Sequence, residues 1–425
     1  MSDSVKCSFC GASGENVNIF RSNEHDDIYI CEDCVKQTFE ALKEYEEQEK
    51  LEKTLNNPEV MTPSDIREFL DQYVIGQERA KEILSVAVYN HMKLLEHWDN
   101  IQEGDVEVEK SNILMVGPTG SGKTHLIKNL ARLFKVPYAI CDATTLTESG
   151  YVGSDVETVL QKLLNAANGD VKLAERGIVF IDEIDKKANK GGVNNSITRD
   201  VSGEGVQQAL LKLIEGNKVD VQLEGQRKHP YSDMVQIDTS KILFIVGGAF
   251  PGIDEIIKRR LNYKVTSSVG IMLDEAEEEK LAGEVDINEV IDEVNQEDFR
   301  NYGLIPEFLG RLPIICPLKE LTEDQLCQIL TEPKNALVKQ YKELLKYDKV
   351  DLEFDQDALK AIANKAIVTK TGARGLRSIM ENLLLDTMYS IPGQMRKEKN
   401  KRGSLVITKD CVENDKKPEL VIKAA

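Results

Sequence analysis

Eight consecutive residues, Gly117 to Thr124, read GPTGSGKT, and their types and spacing suit the holding of phosphate. Glycines at 117, 120 and 122 let backbone amides turn toward phosphate oxygens with no side chain between. Lys123 would reach the β and γ phosphates of a nucleoside triphosphate, and the Thr124 hydroxyl would ligate Mg²⁺. The expected ATP-binding set is therefore Gly117, Pro118, Thr119, Gly120, Ser121, Gly122, Lys123, Thr124 and His125. About 60 residues later an apolar run from Ile178 ends in Asp182 and Glu183. Asp182 is placed to hold the Mg²⁺ shell and Glu183 to polarise an attacking water. Alone, a strand ending in two carboxylates is more often a solvated turn. Behind a phosphate loop it points to hydrolysis rather than mere binding.

A second chemistry sits near the start of the chain. Cys7 and Cys10, then Cys31 and Cys34, form two CxxC pairs separated by twenty residues. Four thiolates at this spacing can surround Zn²⁺ tetrahedrally and close the site, which makes its role structural. Two disulfides are the alternative reading, and His25 is a competing ligand more simply read as a loop residue. Cys141, Cys316, Cys327 and Cys411 lie among apolar neighbours and read as small buried hydrophobes.

Around these residues the chain of 425 is too long for one core. Residues 1–50 are cysteine-rich at the start and poor in long apolar runs; they read as a zinc-binding domain, with 51–62 a linker broken by Asn56-Asn57-Pro58. Over 63–318, short apolar strands alternate with helical segments: Asn112–Gly117, Tyr138–Asp142, Ile178–Asp182 and Lys241–Gly247. The pattern predicts an α/β domain with a mostly parallel sheet covered on both faces. Residues 319–425 read as a smaller, mainly helical domain. Its helices are expected in Thr322–Leu345, Asp355–Lys370 and Gly375–Tyr389, with a closing strand pair at Ser404–Thr408 and Glu419–Ile422. Arg396–Arg402 reads as a solvated basic loop.

Composition narrows the partners. Seventy-three acidic against 54 basic residues leave a net charge of −19, which counts against nucleic acid as the main partner. No apolar run reaches the ~18 residues needed to cross a bilayer, so no membrane partner is expected. The first residues, MSDSVKC, carry neither a basic region nor an apolar run, so a cytoplasmic location is the expectation.

GPTGSGKT with Val179–Lys186 (VFIDEIDK) resembles the AAA+ ATPases, and other motifs narrow this to the Clp unfoldases that serve the ClpP peptidase. Those motifs are the N-terminal cysteines, Tyr73–Gln77 (YVIGQ), Gly150–Gly153 (GYVG), Ser196–Gln208, Arg227-Lys228-His229, Gly303–Arg311 and Lys370–Ser378. The resemblance implies that Val74 and Ile75 pack the adenine, that Arg311 is an arginine finger inserted into a neighbouring subunit, and that Arg374 senses nucleotide from the small domain. A fixed planar cation suits that work better than an ammonium, though a lone arginine is usually a surface ion pair. A finger supplied in trans implies a ring, and the family forms homo-hexamers. It further implies that Tyr151 and Val152 grip substrate in the pore, that Ser202–Gly205 form a second pore loop, and that Arg227, Lys228 and His229 line the entrance. The zinc domain of the family dimerises and binds adaptor proteins and some substrates carrying degradation tags.

Two departures stand out. The family's peptidase-docking tripeptide is Ile-Gly-Phe-like, and its nearest equivalent here is Val269-Gly270-Ile271, with the aromatic replaced, ahead of an acidic insertion at Asp274–Glu279. His125 stands where the family usually has an apolar residue. The reading is an ATP-driven protein unfoldase that delivers substrates to ClpP and also acts as a chaperone without it. A nucleic-acid motor is the second reading, and a non-catalytic nucleotide-dependent scaffold the third. Net acidity opposes the one; Glu183 and Arg311 oppose the other.

Overall fold

The computed structural model describes residues 6–11, 18–21, 28–39, 42, 61–100, 106, 108–147, 154–189, 201–222, 234–269, 287–397, 401–414, 416–418 and 420–424. The chain divides into two compact units, Met1–Met61 and Thr62–Ala425.

In the first unit, strands Ile19–Arg21 and Tyr29–Cys31 pair antiparallel, with Ile19 opposite Cys31, and a helix over 32–39 follows at once. Phe9, Phe20 and Phe39 are exposed, whereas Cys7 and Cys31 are almost fully buried. Among the described residues the interior of this unit is therefore built around sulfur rather than around a hydrophobic core. That is how segments of this size are usually held.

The second unit begins with helix α1 (Pro63–Asp71), entered through a capping box in which Thr62 and Asp65 satisfy each other's backbone and Pro63 opens the first turn. Helix α2 (Glu78–Asn100) follows. Five parallel strands then build the central sheet: β1 (Ile113–Val116), β2 (Tyr138–Asp142), β3 (Ile178–Asp182), β4 (Leu243–Gly248) and β5 (Ile314–Pro317). Their spatial order is β5-β1-β4-β3-β2. Leu114, Val116, Val179, Ile181, Phe244 and Val246 enter one large hydrophobic core. The alternate residues Ile113, Met115, Phe180 and Ile245 are equally buried, so both faces are covered. The phosphate loop leaves β1 and enters helix α3 (Lys123–Phe134).

Leu321 to Val412 enclose a second core of their own. Helices Glu323–Thr331, Leu337–Tyr347, Gln356–Val368 and Ala373–Lys397 pack with a three-stranded sheet. In that sheet Lys401–Ile407 is the middle strand, parallel to Val350–Phe354 and antiparallel to Leu420–Ala424.

Three expectations are corrected. The helical stretch Thr322–Leu345 is two helices, because Pro333 lacks the N–H that would continue the first. Strands β5 and Val350–Phe354 were not expected. Lys401 and Arg402 open a strand instead of lying in a basic loop. Cys141, Cys316 and Cys411 are buried as expected, and Cys327 is partly so. No described helix is long and apolar enough to cross a membrane.

Candidate functional site

Gly122 caps α3 in the left-handed region, φ 102°, with no side chain occupying the cap, and Gly120 is also left-handed at φ 81°. The opening amides of α3 are thus presented by backbone alone, an arrangement suited to an anion. Lys123 is buried, and its ammonium donates to the carbonyls of Gly117 at 2.6 Å and Pro118 at 3.1 Å. Burial lowers its pKa, and Asp182, Asp185 and Glu183 oppose that shift. Phosphate oxygens can take over the donors now given to those two carbonyls.

Carboxylates gather beside the loop. Thr124 Oγ1 donates to Asp182 Oδ2 at 3.3 Å, which brings together the two groups suited to Mg²⁺. Glu183 is exposed and adopts φ 60°, an uncommon conformation for a residue with a side chain, while its N–H donates to Asp182 Oδ1 at 2.9 Å. Backbone of this kind is held by its surroundings and clusters at functional sites. Asp185 is buried, with one oxygen taking the Ala249 N–H at 3.1 Å.

The loop is closed from outside by other parts of the chain. A Cβ on Gly117 would lie 2.7 Å from the Leu318 carbonyl oxygen, and one on Gly120 would collide with the carbonyl of Thr371. Ala373 N–H donates to the Gly120 carbonyl at 3.3 Å. A pocket is lined by Pro118, Thr119, Ser121, Leu321, Ile367 and Lys370. Arg374, exposed, follows directly at the start of its helix. Val74 is buried and Ile75 half-buried in the turn between α1 and α2. His125 reaches that same turn, its Nε2 3.3 Å from the Tyr73 carbonyl.

Arg311 lies elsewhere. Its carbonyl accepts from Asn112 Nδ2 at 3.1 Å, and Asn112 immediately precedes β1. The phosphate loop leaves the other end of that strand, roughly 16 Å away at ~3.3 Å per residue. The Arg311 guanidinium pairs with Glu215 at 3.2 Å, both side chains being well exposed.

The four N-terminal sulfurs lie within 4.8 Å of one another, with Cys7 to Cys34 at 3.9 Å and Cys10 to Cys31 at 3.6 Å. Disulfides need ~2.05 Å. Zinc–sulfur bonds of ~2.3 Å in a tetrahedron place sulfurs ~3.8 Å apart, so the donor set and its spacing fit Zn²⁺. Backbone N–H groups, Cys10's first, draw the Cys7 thiol down to about 6, while the crowded sulfurs push Cys34 up to about 12.

Tyr151, Val152, Arg227, Lys228, His229, Gly270 and Ile271 lie outside the described residues, as do His25 and the acidic insertion. Val269 ends the helix Ile253–Val269. Ser202 to Gly205 lie on the opening turns of the helix Val201–Ile214 rather than on a loop, where Gly203 allows close approach to the Lys187 carbonyl. Three residues lie within motifs or strands quoted from the sequence but were given no role of their own there: Asp185, Asn112 and Gln77. Asp185 carries a signal, since it completes the carboxylate run. Asn112 and Gln77 act across 132 and 242 residues of chain, which no local pattern reveals.

Comparison with known proteins agrees with this arrangement. Residues 5–44 match the ClpX C4-type zinc finger, 108–315 the AAA domain (Cdc48 subfamily), and 321–402 the C-terminal, D2-small domain of ClpB protein. The ATP-dependent Clp protease ATP-binding subunit ClpX of Treponema denticola is 50% identical over 422 residues, covering 99% of this chain and 97% of that protein. Its counterpart in Porphyromonas gingivalis is 47% identical over 416 residues, covering 97% and 96%. With a phosphate loop, paired carboxylates and a four-sulfur centre on the matching parts of the fold, the chain belongs to the ClpX family of AAA+ ATPases.

Proposed function

We propose that this ATPase is a ring-forming protein unfoldase, which converts ATP hydrolysis into the pulling of tagged polypeptides through a central pore and into a partner peptidase. The relatives' name, ATP-binding subunit of the Clp protease, supports ClpP as that partner. The observation that carries the reading is the closure of the phosphate loop by main chain from the second core, at Gly120 against Thr371 to Ala373. A triphosphate on that loop must press on both cores, so its arrival and hydrolysis can change their relation.

Within this reading Lys123 and the loop amides hold the phosphates. Thr124 and Asp182 hold Mg²⁺, which would offset phosphate charge, and Glu183 takes the proton of the attacking water. Arg311, at the far end of β1 from its own loop, serves a neighbour's site; Arg374 reports nucleotide to the small core. Six copies arranged so complete six sites. Tyr151 and Val152 push substrate sterically, Arg227, Lys228 and His229 draw in acidic termini, and Val269-Gly270-Ile271 docks the peptidase. The domain limits follow: 1–50 for zinc and adaptors, 51–62 as linker, 63–318 and 319–425 as the two halves of the motor.

The test is unfolding of a tagged fluorescent protein with ATP, with and without ClpP. Loss of fluorescence that needs ATP, and degradation that needs ClpP as well, is expected. In Tyr151→Ala, ATP hydrolysis should persist while unfolding stops; unchanged unfolding would refute the grip.

A further inference from the structure

Gln77 carries a set of contacts that the hydrolytic chemistry does not call for. It is 8% exposed and left-handed, φ 60°, at the entry to α2. Its carboxamide Nε2 donates to the Ser121 carbonyl at 3.1 Å and to the Lys319 carbonyl at 2.8 Å, while its Oε1 accepts the Lys319 N–H at 2.9 Å. One end of this clamp is the phosphate loop. The other is the short segment between Leu318, which follows β5, and Leu321, the first residue of the second core.

The bond to Ser121 has a directional consequence. In a planar trans peptide the carbonyl of one residue and the N–H of the next point oppositely. Holding the Ser121 carbonyl therefore sets the aim of the Gly122 N–H, one of the amides suited to phosphate. When a phosphate pulls on that amide, the peptide can rotate only if the Gln77 carboxamide moves, and the carboxamide cannot move without releasing both polar groups of Lys319.

We propose that Gln77 is a positioning residue that transmits the state of the phosphate loop to the Lys319 segment, and so couples ATP to movement of the second core. This rests on the motor reading given above. A neighbouring contact supplies the control. Asn288 grips the next residue in the same manner, accepting the Glu320 N–H at 2.7 Å and donating to its carbonyl at 3.4 Å, so both of these bonds fall on Glu320 rather than on the phosphate loop. A role limited to steadying the segment would be shared by both clamps; of the two, transmission from nucleotide needs the arm on Ser121 that Gln77 supplies.

The experiment is amide hydrogen exchange at Gly117–Thr124 and at Leu318–Glu320, with and without a non-hydrolysable ATP analogue, in the full-length protein. The parent should gain protection in the loop and change its exchange at Leu318–Glu320. Gln77→Leu, of similar size, should keep the loop response and lose the linker response, with protein unfolded per ATP down about tenfold. Asn288→Leu should keep both responses. If Gln77→Leu folds poorly, Gln77→Glu carries the test, since it keeps the length and the acceptor for the Lys319 N–H and loses the donor to the Ser121 and Lys319 carbonyls. A parent linker that ignores nucleotide, or a folded Gln77 variant with an intact linker response, overturns the proposal, as does Asn288→Leu behaving like Gln77→Leu. Absence of loop protection in the parent would instead strike at nucleotide binding itself, and a coupled protein that unfolds nothing would strike at the motor reading.

Discussion

Replacing Asn112 by leucine would test how Arg311, proposed above as an arginine finger, is held. The Asn112 side chain is 3% exposed and joins three elements: it accepts the Phe244 N–H of β4 at 3.3 Å and donates to the Arg311 carbonyl at 3.1 Å and, at the limit of hydrogen bonding, to Ile214 at 3.5 Å. Leucine keeps the branched shape, with bulkier methyl groups, but leaves the Arg311 carbonyl and the Phe244 N–H without this partner. Each such buried group costs ~1–3 kcal/mol, so the expected loss is about 2–4 kcal/mol after the small gain from an apolar side chain. At ~2 °C per kcal/mol for a body of this size, Tm should fall by ~4–8 °C. The second effect is on catalysis. A displacement of ~1 Å in a catalytic group can cost up to ~100-fold, so turnover measured well below the melting range should drop at least tenfold. ATP binding should hold, because the phosphate loop leaves the opposite end of β1. Glu215→Gln is the companion variant: it removes an exposed ion pair, worth less than ~1 kcal/mol, and should melt within a degree or two of the parent. Full turnover in a destabilised Asn112→Leu would refute the positioning argument. An unchanged Tm would refute the energetic one.

Other expectations follow from the same structure. Glu183→Gln should bind ATP and not turn it over, and Arg311→Ala should also be inactive. Mixing the two should restore part of the hydrolysis, because an Arg311→Ala subunit keeps its own Glu183 and can borrow a neighbour's arginine; mixtures as inactive as the separate variants would rule out shared sites. Removing Zn²⁺ with a chelator, or making Cys31→Ser, should unfold the first unit while ATP hydrolysis by the second persists. Limited proteolysis with an ATPase assay checks this, and equal loss of both would deny the units their independence. His91 is buried on α2, and burial, reinforced by the charge of Lys110, lowers its pKa to about 4. Its folded pKa is thus below its ordinary value of ~6.5, so its contribution is complete above pH 6.5 and is lost as pH falls toward 4, on the order of 3 kcal/mol. His91→Phe should flatten the fall in Tm across that window, and an identical fall in the variant would count against His91 as the source.

The ATPase core was readable in the sequence because its signals are local. A glycine loop between an apolar run and a helix, or a strand ending in two carboxylates, needs only a few adjacent residues. The four sulfurs were readable for the same reason, and their spacing in the fold decides between zinc and disulfides. Strand β5 escaped because Ile314–Pro317 is four residues ending in proline, and only pairing with β1 makes it a strand. The break at Pro333 was hidden by apolar residues continuing at helical spacing on both sides. Asn112 and Gln77 look like ordinary polar residues until distant chain arrives beside them. Glu183's left-handed backbone has no signature at all, since glycine or asparagine would be the usual occupant.

The contact between Gly120 and Gly372 has a bearing on how variants of this protein should be interpreted. A Cβ on Gly372 would sit 3.2 Å from both the Cα and the carbonyl oxygen of Gly120, in a stretch of backbone that is itself left-handed at φ 54°. Functionally the phosphate cradle is therefore written in two places, 117–124 and 371–373, with about 250 residues between them. A change at Gly372 falls far from the glycine-rich phosphate loop in the sequence and would be classed by position as a small-domain lesion. Its physical effect would be to push on the phosphate loop, and its phenotype would be that of a nucleotide-site defect.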